Sequence, residues 1–188
     1  MKLLKPKSYK DYIQHQADRH TSLTHEYPLS PWHDDIFTEF KEHLASPIVD
    51  IGCRNGKLLD KLTEEGYDAW GIEITDIAQF AREKGRNVVQ EDIQKKTSFD
   101  DNFFKTAIMT HSLEHCYNPS AALRETSRIL NGYIYLVIPF GGYDTHFGHY
   151  ASFESFGDVI KLLEENGFKI DKQYSKGNAY NYIFANNL

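Results

Sequence analysis

The chain has 188 residues, which favours one domain over two and is enough to bury a core without disulfide or metal staples. Asp and Glu (27) outnumber Lys and Arg (21), for a net charge of -6. That balance argues against a broad phosphate-binding face, and so against nucleic acid as a partner.

Hydrophobic residues (40%) and charged residues (26%) are at ordinary globular levels. Twelve Tyr and twelve Phe suit either a Tyr/Phe-rich core or an aromatic-lined cleft. Cys53 and Cys116 are too few for a disulfide framework and read as free thiols in a reducing compartment. The start, Met1-Lys2-Leu3-Leu4-Lys5-Pro6, carries positive charge but no sustained apolar stretch, so it is not a signal peptide. No stretch approaches the roughly 20 apolar residues of a membrane span. A soluble, cytoplasmic protein is expected.

Residues 1–31 are polar, rich in His and Tyr, and end in Tyr27-Pro28-Leu29-Ser30-Pro31. They read as a short helix over 9–19 and then an extended lead-in, since two prolines oppose a helix there. Residues 32–188 read as a single domain. Ile36, Phe37, Phe40 and Leu44 have helical spacing from Trp32 onward, and Ser46-Pro47 ends that helix. Residues 48–51 form the first strand. Leu58, Leu59 and Leu62 mark a helix that stops near Gly66. A strand over 67–74, a helix over 76–84 and a short strand over 87–90 follow. A fourth strand covers 106–110. A helix over 119–130 opens on proline, where a missing N–H costs least. A fifth strand over 133–138 is stopped by Pro139. A helix over 153–166 ends at Gly167, a usual residue just past a helix. Strands over 168–174 and 180–185 close the chain, joined by a turn around Lys176-Gly177-Asn178.

This alternation predicts an α/β fold with a mostly parallel sheet and helices on both faces. The last two strands are too close in sequence for a crossover, so they should pair antiparallel.

Four segments carry chemistry. In Asp50-Ile51-Gly52-Cys53-Arg54-Asn55-Gly56 a strand ends in an acid and a glycine-bearing turn follows. The glycines allow a sharp turn and close ligand approach, and the next helix offers free N–H groups. The spacing Gly52-x-x-x-Gly56 is not the dinucleotide fingerprint, and Asp50 would repel a pyrophosphate while suiting a cationic group. Glu73, in Gly71-Ile72-Glu73-Ile74, lies about twenty residues on, where an acid accepts hydrogen bonds from ribose hydroxyls. Asp92, in Gln90-Glu91-Asp92-Ile93, can accept from an adenine amino group, and Ile93 can pack on the ring. His111-Ser112-Leu113-Glu114-His115 then puts two histidines and a carboxylate into the loop bordering the cofactor. Histidine is the commonest general base, and the same spacing also suits a metal, with His146 and His149 as candidates for a fourth ligand. A surface acid, a turn residue or a structural histidine remains the plainer alternative for each position.

The ordered set Asp50-x-Gly52-Cys53-x-x-Gly56, Glu73, Asp92 and His111-Ser112-Leu113-Glu114-His115 resembles class I S-adenosylmethionine-dependent methyltransferases. The likeness is nearest to the type 11 and type 23 methyltransferase domains. It extends to Leu123-Arg124-Glu125-Thr126-Ser127-Arg128-Ile129-Leu130, to the strand before Pro139, and to the stretch from Phe153-Glu154-Ser155 to Phe168. It covers residues from about 46 to 188. It implies a Rossmann-like three-layer sandwich with a seven-stranded, mostly parallel sheet and the last strand antiparallel. It implies that Asp50, Gly52, Cys53 and Gly56 line the methionine part of S-adenosylmethionine. Glu73, with Ile74 beside it, would hold the ribose, Asp92 and Ile93 the adenine. His111 and Ser112 would lie under the methionine end. Three departures stand out: Arg54 replaces the second loop glycine, Phe104-Lys105-Thr106 lacks the acid opening the fourth strand, and Leu130-Asn131-Gly132 shortens the usual proline-glycine turn.

The expected reaction is methyl transfer to an oxygen, nitrogen or carbon of a small-molecule acceptor, with His115 and then His149 as candidate bases. The acceptor pocket should form between the N-terminal segment and residues 140–150, with Tyr27, Trp32 and His33 as the opposite wall or lid. Deletion of residues 1–30 should then harm ligand affinity more than folding. Two alternatives stay open. One is a metal-dependent 2′-O-methyltransferase using His111, Glu114 and His115. The small-RNA 2′-O-methyltransferases carry a similar Glu-x-x-Glu-His segment. The other is a nicotinamide-dependent oxidoreductase on a related sheet.

Overall fold

The structure is a computed structural model that describes residues 1–3, 6, 8–21, 28–140, 148–176 and 180–188, without the side chains of 19–21. Its elements in chain order are β1 (Lys2–Leu3), α1 (Tyr9–Thr21), α2 (Pro31–Glu39), a 3₁₀ turn (Lys41–His43), β2 (Ile48–Ile51), α3 (Lys57–Glu64), β3 (Ala69–Glu73), α4 (Ile77–Glu83) and β4 (Val88–Gln90). Then come β5 (Phe104–Thr110), a 3₁₀ turn (Leu113–His115), α5 (Pro119–Ile129), β6 (Leu130–Ile138), β7 (Ala151–Ser152), α6 (Phe156–Glu164), β8 (Phe168–Lys176) and β9 (Tyr180–Asn187).

Seven strands form one sheet in the order β4-β3-β2-β5-β6-β9-β8. The first five are parallel, and β9 is inserted antiparallel to both β6 and β8. β1 and β7 form a separate two-stranded ribbon. The order runs outward from β2 to β4 and then resumes on the other side of β2 with β5. That reversal is the topological switch point, where ligands of open α/β sheets bind beyond the strand ends.

Side chains alternate across the strands and build a core on each face. Val49, Met109, Leu136 and Ile183 pack with Leu123 and Ile129 of α5 and Leu162 and Leu163 of α6. Ile48, Ile108, Val137 and Phe184 pack with Ile36 of α2, Leu58, Leu59 and Leu62 of α3 and Ala78 and Ala81 of α4. This is the expected three-layer arrangement. Among the described residues, no helix is long and apolar enough to cross a membrane.

Element edges differ from the sequence reading for local reasons. The helix expected from Trp32 to Leu44 breaks at Phe40, which leaves helical geometry (φ -118°, ψ 0°) and stacks flat on Phe184, ring centroids 4.9 Å apart. α6 starts at Phe156 rather than 153, because Phe153 is in the core, Ser155 is extended, and the Glu154 N–H is taken by the Asp158 carboxylate at 2.9 Å. β6 starts at Leu130 with no turn after α5, and its register against β5 shifts between Phe104 and Thr106. Gly132 lies against the Lys105 carbonyl at that shift, with room only for hydrogen. The turn expected at Gly177-Asn178 lies outside the described residues.

Candidate active site

The loop after β2 and the loop after β5 meet at the switch point. Gly52 has φ +81°, and a Cβ there would stand 2.7 Å from the Ser112 Cβ. Only glycine meets both demands. The Ser112 hydroxyl donates to the Ile51 carbonyl at 2.8 Å, which ties the two loops together. Arg54, where the resemblance expects glycine, also has a left-handed backbone (φ +50°). Its N–H donates to Glu73 Oε2 at 3.0 Å, and the residue lines both clefts described below.

Two acids are buried here. Glu73 is 4% exposed, and its other oxygen accepts from the Thr75 N–H (2.9 Å) and hydroxyl (2.8 Å). Asp50 is equally buried, but burial and the neighbouring Glu73 push its carboxyl up to about 7. Among the described residues no cation pairs with it. A pyrophosphate would face both acids. A ligand bringing a cationic group to Asp50 and hydroxyls to Glu73 fits them.

The first cleft, of about 630 Å³, has Ile51, Ile72, Glu73, Ile74, Asp92 and Ile93 on its sheet side. α1 covers it with Tyr12 and Gln16. The Tyr9 hydroxyl donates to Asp92 Oδ2. Gln94 donates through Nε2 to the Tyr12 hydroxyl (3.0 Å) and to Asp92 Oδ1 (2.9 Å). Gln16 donates to the His115 carbonyl at 3.3 Å. Burial drives the Tyr9 and Tyr12 phenols upward, so both stay protonated as donors. The sequence reading missed Tyr9, Tyr12, Gln16 and Gln94. Their only visible signal was a pair of tyrosines three apart on a predicted helix.

The second cleft, of about 950 Å³, adjoins the first through Gly52, Arg54, His111 and His115. Asp50, Cys53, Trp32, His33 and Thr110 also line it. The His33 ring accepts from the Ser30 N–H at 2.9 Å and meets the Thr110 hydroxyl at 3.3 Å. Burial and nearby His111 push His33 down to about 4, so it is neutral near pH 7. The Trp32 ring lies 4.6 Å from His111 and 5.1 Å from Tyr180. Tyr27 and His146 lie outside the described residues.

His111, with φ +50°, hydrogen-bonds through Nδ1 to Glu114 Oε1 at 3.1 Å. Burial alone would raise Glu114, which is 1% exposed, but the His111 hydrogen bond and nearby His115 pull it below the usual range. The Glu114 Oε2 and His111 Nε2 atoms are buried with no hydrogen-bond partner among the described residues. The His115 Nδ1 donates to the Gly148 carbonyl at 2.9 Å, and the His115 and His149 rings are 4.7 Å apart.

Ten of the twelve expected positions thus line one cleft or both: Asp50, Gly52, Cys53, Glu73, Ile74, Asp92, Ile93, His111, Ser112 and His115. Gly56 instead opens α3 with φ +77° and packs on Arg86, while His149 stands behind His115.

A family model described as "Methyltransferase domain" (type 23) matches residues 23–173, and the chain belongs to that family. It is a methyltransferase of the S-adenosylmethionine-dependent class. No curated protein matches it in sequence. Three solved structures are similar in fold. A SAM-dependent methyltransferase from Aquifex aeolicus is 18% identical with TM-score 0.68, over 97% of this chain and 100% of that one. A SAM-dependent methyltransferase from Thermotoga maritima, titled a possible histamine N-methyltransferase, is 18% identical with TM-score 0.67, over 96% and 100%. Geranyl diphosphate C-methyltransferase from Streptomyces coelicolor, solved with Mg2+, geranyl diphosphate and S-adenosylhomocysteine, is 14% identical with TM-score 0.75, over 97% and 100%.

Proposed function

We propose that the first cleft takes the adenosine of S-adenosylmethionine, that the cofactor's methionine end lies between Asp50 and the His111 loop, and that a small-molecule acceptor enters the second cleft. The observation that carries this reading is the buried Asp50 carboxyl, pushed up to about 7 with no cation beside it among the described residues. An α-ammonium group supplies that cation. Glu73 would hold the ribose, Ile74 and Ile93 the faces of the base, and Asp92 the adenine amino group.

When bound, the cofactor supplies an electrophilic methyl: the acceptor's lone pair bonds to the methyl carbon as the carbon–sulfur bond breaks and sulfur keeps that pair. The protein's part is placement and exclusion of water. Asp50 fixes the cationic end, Gly52 permits close approach, and Trp32 with His111 walls the acceptor side. His115, which lines both clefts, is the group nearest an acceptor atom, with His149 against its ring. Residues 1–31, through α1, form the lid. The two neighbours whose titles name an acceptor differ, one histamine and one geranyl diphosphate, so oxygen, nitrogen and carbon acceptors stay equal here. The net charge of -6 speaks against nucleic acid. Two free cysteines accord with a cytoplasmic location.

Thermal shift with S-adenosylhomocysteine against NADH is the test. A ligand at 100 times its dissociation constant stabilises by about 2.7 kcal/mol, so S-adenosylhomocysteine should raise the melting temperature and NADH should not. The reverse result would defeat the assignment.

A further inference from the structure

His115 lines both clefts, and behind it Glu114 and His149 form a group of side chains that cofactor binding does not use. We propose that Glu114, His115 and His149 bind one divalent transition-metal cation there, with an open position toward the acceptor. The purpose of the ion rests on the cleft assignment above; its binding does not.

Three observations carry the proposal. Each of the three residues offers a ligand atom, and these atoms lie within 4.8 Å of one another. Metal bonds of about 2.0–2.2 Å set ligand atoms roughly 3–3.5 Å apart, so small side-chain rotations complete the site. Second, Glu114 is 1% exposed, and its Oε2 is buried with no hydrogen-bond donor. A buried carboxylate oxygen without a partner is costly, and a cation removes that cost. Third, the His115 Nδ1 faces the Gly148 carbonyl at 2.9 Å. A carbonyl only accepts, so Nδ1 carries a proton, and in the neutral ring Nε2 is the ligand atom. Metal-binding imidazoles are oriented by such a bond.

The fold holds the three together. The Tyr150 N–H donates to the Glu114 carbonyl at 2.7 Å, which straps the segment bearing His149 to the turn bearing Glu114 and His115. His111 binds Glu114 Oε1 and leaves Oε2 for the ion. Of the set expected from spacing, Glu114, His115 and the fourth-ligand candidate His149 come together, while His111 instead holds Glu114.

Two imidazoles and one carboxylate select zinc, manganese, iron or cobalt over magnesium or calcium, which prefer all-oxygen shells. Three protein ligands leave a position for a further oxygen. The acceptor class this favours is a hydroxyl compound. A hydroxyl bound there loses its proton to water more readily and keeps the electron pair for the methyl carbon.

The test uses the full chain, stripped with a chelator, desalted, and returned to zinc, manganese or magnesium one at a time. Wild type should take up one equivalent of zinc or manganese and no magnesium, with a rise in melting temperature. Glu114→Gln and His149→Ala should each bind at least tenfold more weakly. His149→Ala should melt with wild type in chelator, which separates loss of a ligand from loss of fold. Absence of stoichiometric uptake by wild type, or wild-type uptake by both variants, overturns the proposal. S-adenosylhomocysteine binding is followed in the same samples. If it persists without metal uptake, only the ion is lost; if metal-loaded wild type fails to bind it, the cleft assignment is lost instead.

Discussion

The two clefts at the carboxyl end of the sheet are held in different ways. In the first, the polar groups come from the turns after β3 and β4 and are fixed by near neighbours. Thr75 holds Glu73 from two residues away, and Gln94 does the same for Asp92. In the second, the walls are brought together from distant segments. His33 of α2 meets Thr110 at the end of β5, and Trp32 packs on His111 and Tyr180. The floor of the first cleft is therefore set by local backbone geometry and keeps its shape with the sheet, while α1 is laid over it from a distant segment. The second depends on side chains that can change without changing the fold, which is where acceptor choice resides.

Asp50 lines the second cleft, two residues from the shared Gly52, and gives the strongest way to break this comparison. Asp50→Asn should weaken S-adenosylhomocysteine binding by about 10- to 100-fold, the worth of a charged hydrogen bond. It should also stabilise the ligand-free protein at pH 8. In the folded chain Asp50 holds its proton up to about 7, against about 4 when unfolded. Stability is therefore lost as pH rises from about 4 to about 7, and above that the folded state carries a buried charge. Asparagine removes the charge. Calorimetric titration and a melt at pH 8 read both effects. A variant that binds as wild type would detach Asp50 from the cofactor.

The same carboxyl sets a pH dependence. Below pH 7 ligand-free Asp50 is protonated, and binding a cationic group must expel that proton. Affinity should fall by about tenfold per pH unit below 7, and the slope should vanish in Asp50→Asn. Titrations from pH 8 to pH 5.5 measure it. An unchanged slope in the variant would move the effect to another group.

Next in size is the lid. Deleting residues 1–30 should cost about tenfold in cofactor affinity, because the cover that α1 lays over the first cleft with Tyr12 and Gln16 goes with it. The sheet and both of its cores lie mainly outside that segment, so cooperative unfolding should remain. If acceptor turnover fell while cofactor affinity held, α1 would belong to the second cleft and the comparison would fail.

These contacts also mark where the sequence stops being legible. Strand ends, acids and glycine turns showed in it, because apolar runs and local turn chemistry are encoded within a few residues. That is why Asp50, Glu73 and Asp92 could be placed in order. Tyr12 and Gln94 are 82 positions apart, and no periodicity links them. The left-handed backbone of Arg54 and His111 was invisible for a different reason, since Arg rarely adopts a positive φ and a single His signals one only weakly. The β1–β7 ribbon, two residues on each side, is too short for any pattern to report.

The smallest expected effect tests the first cleft from within. Asp92 already has partners on both oxygens: Gln94 on Oδ1 and the Tyr9 hydroxyl on Oδ2. An adenine amino group reaching Asp92 must share or displace one of them. Gln94 is two residues away and fixed by its own backbone bond, so Tyr9 is the partner that yields. Tyr9 stays protonated because burial and Asp92 raise its phenol, so it competes as a donor at every working pH. Tyr9→Phe keeps the ring contacts with Tyr12 and Tyr117 and removes only that donor. Binding of S-adenosylhomocysteine should tighten by roughly two- to fivefold, only part of the worth of a hydrogen bond to a charged acceptor, because water takes the hydroxyl's place on Oδ2 in the ligand-free variant. Weaker binding in that variant would mean that the hydroxyl holds Asp92 in place for the ligand rather than against it. The acid at β4 would then depend on α1 for its position, as the walls of the second cleft depend on α2.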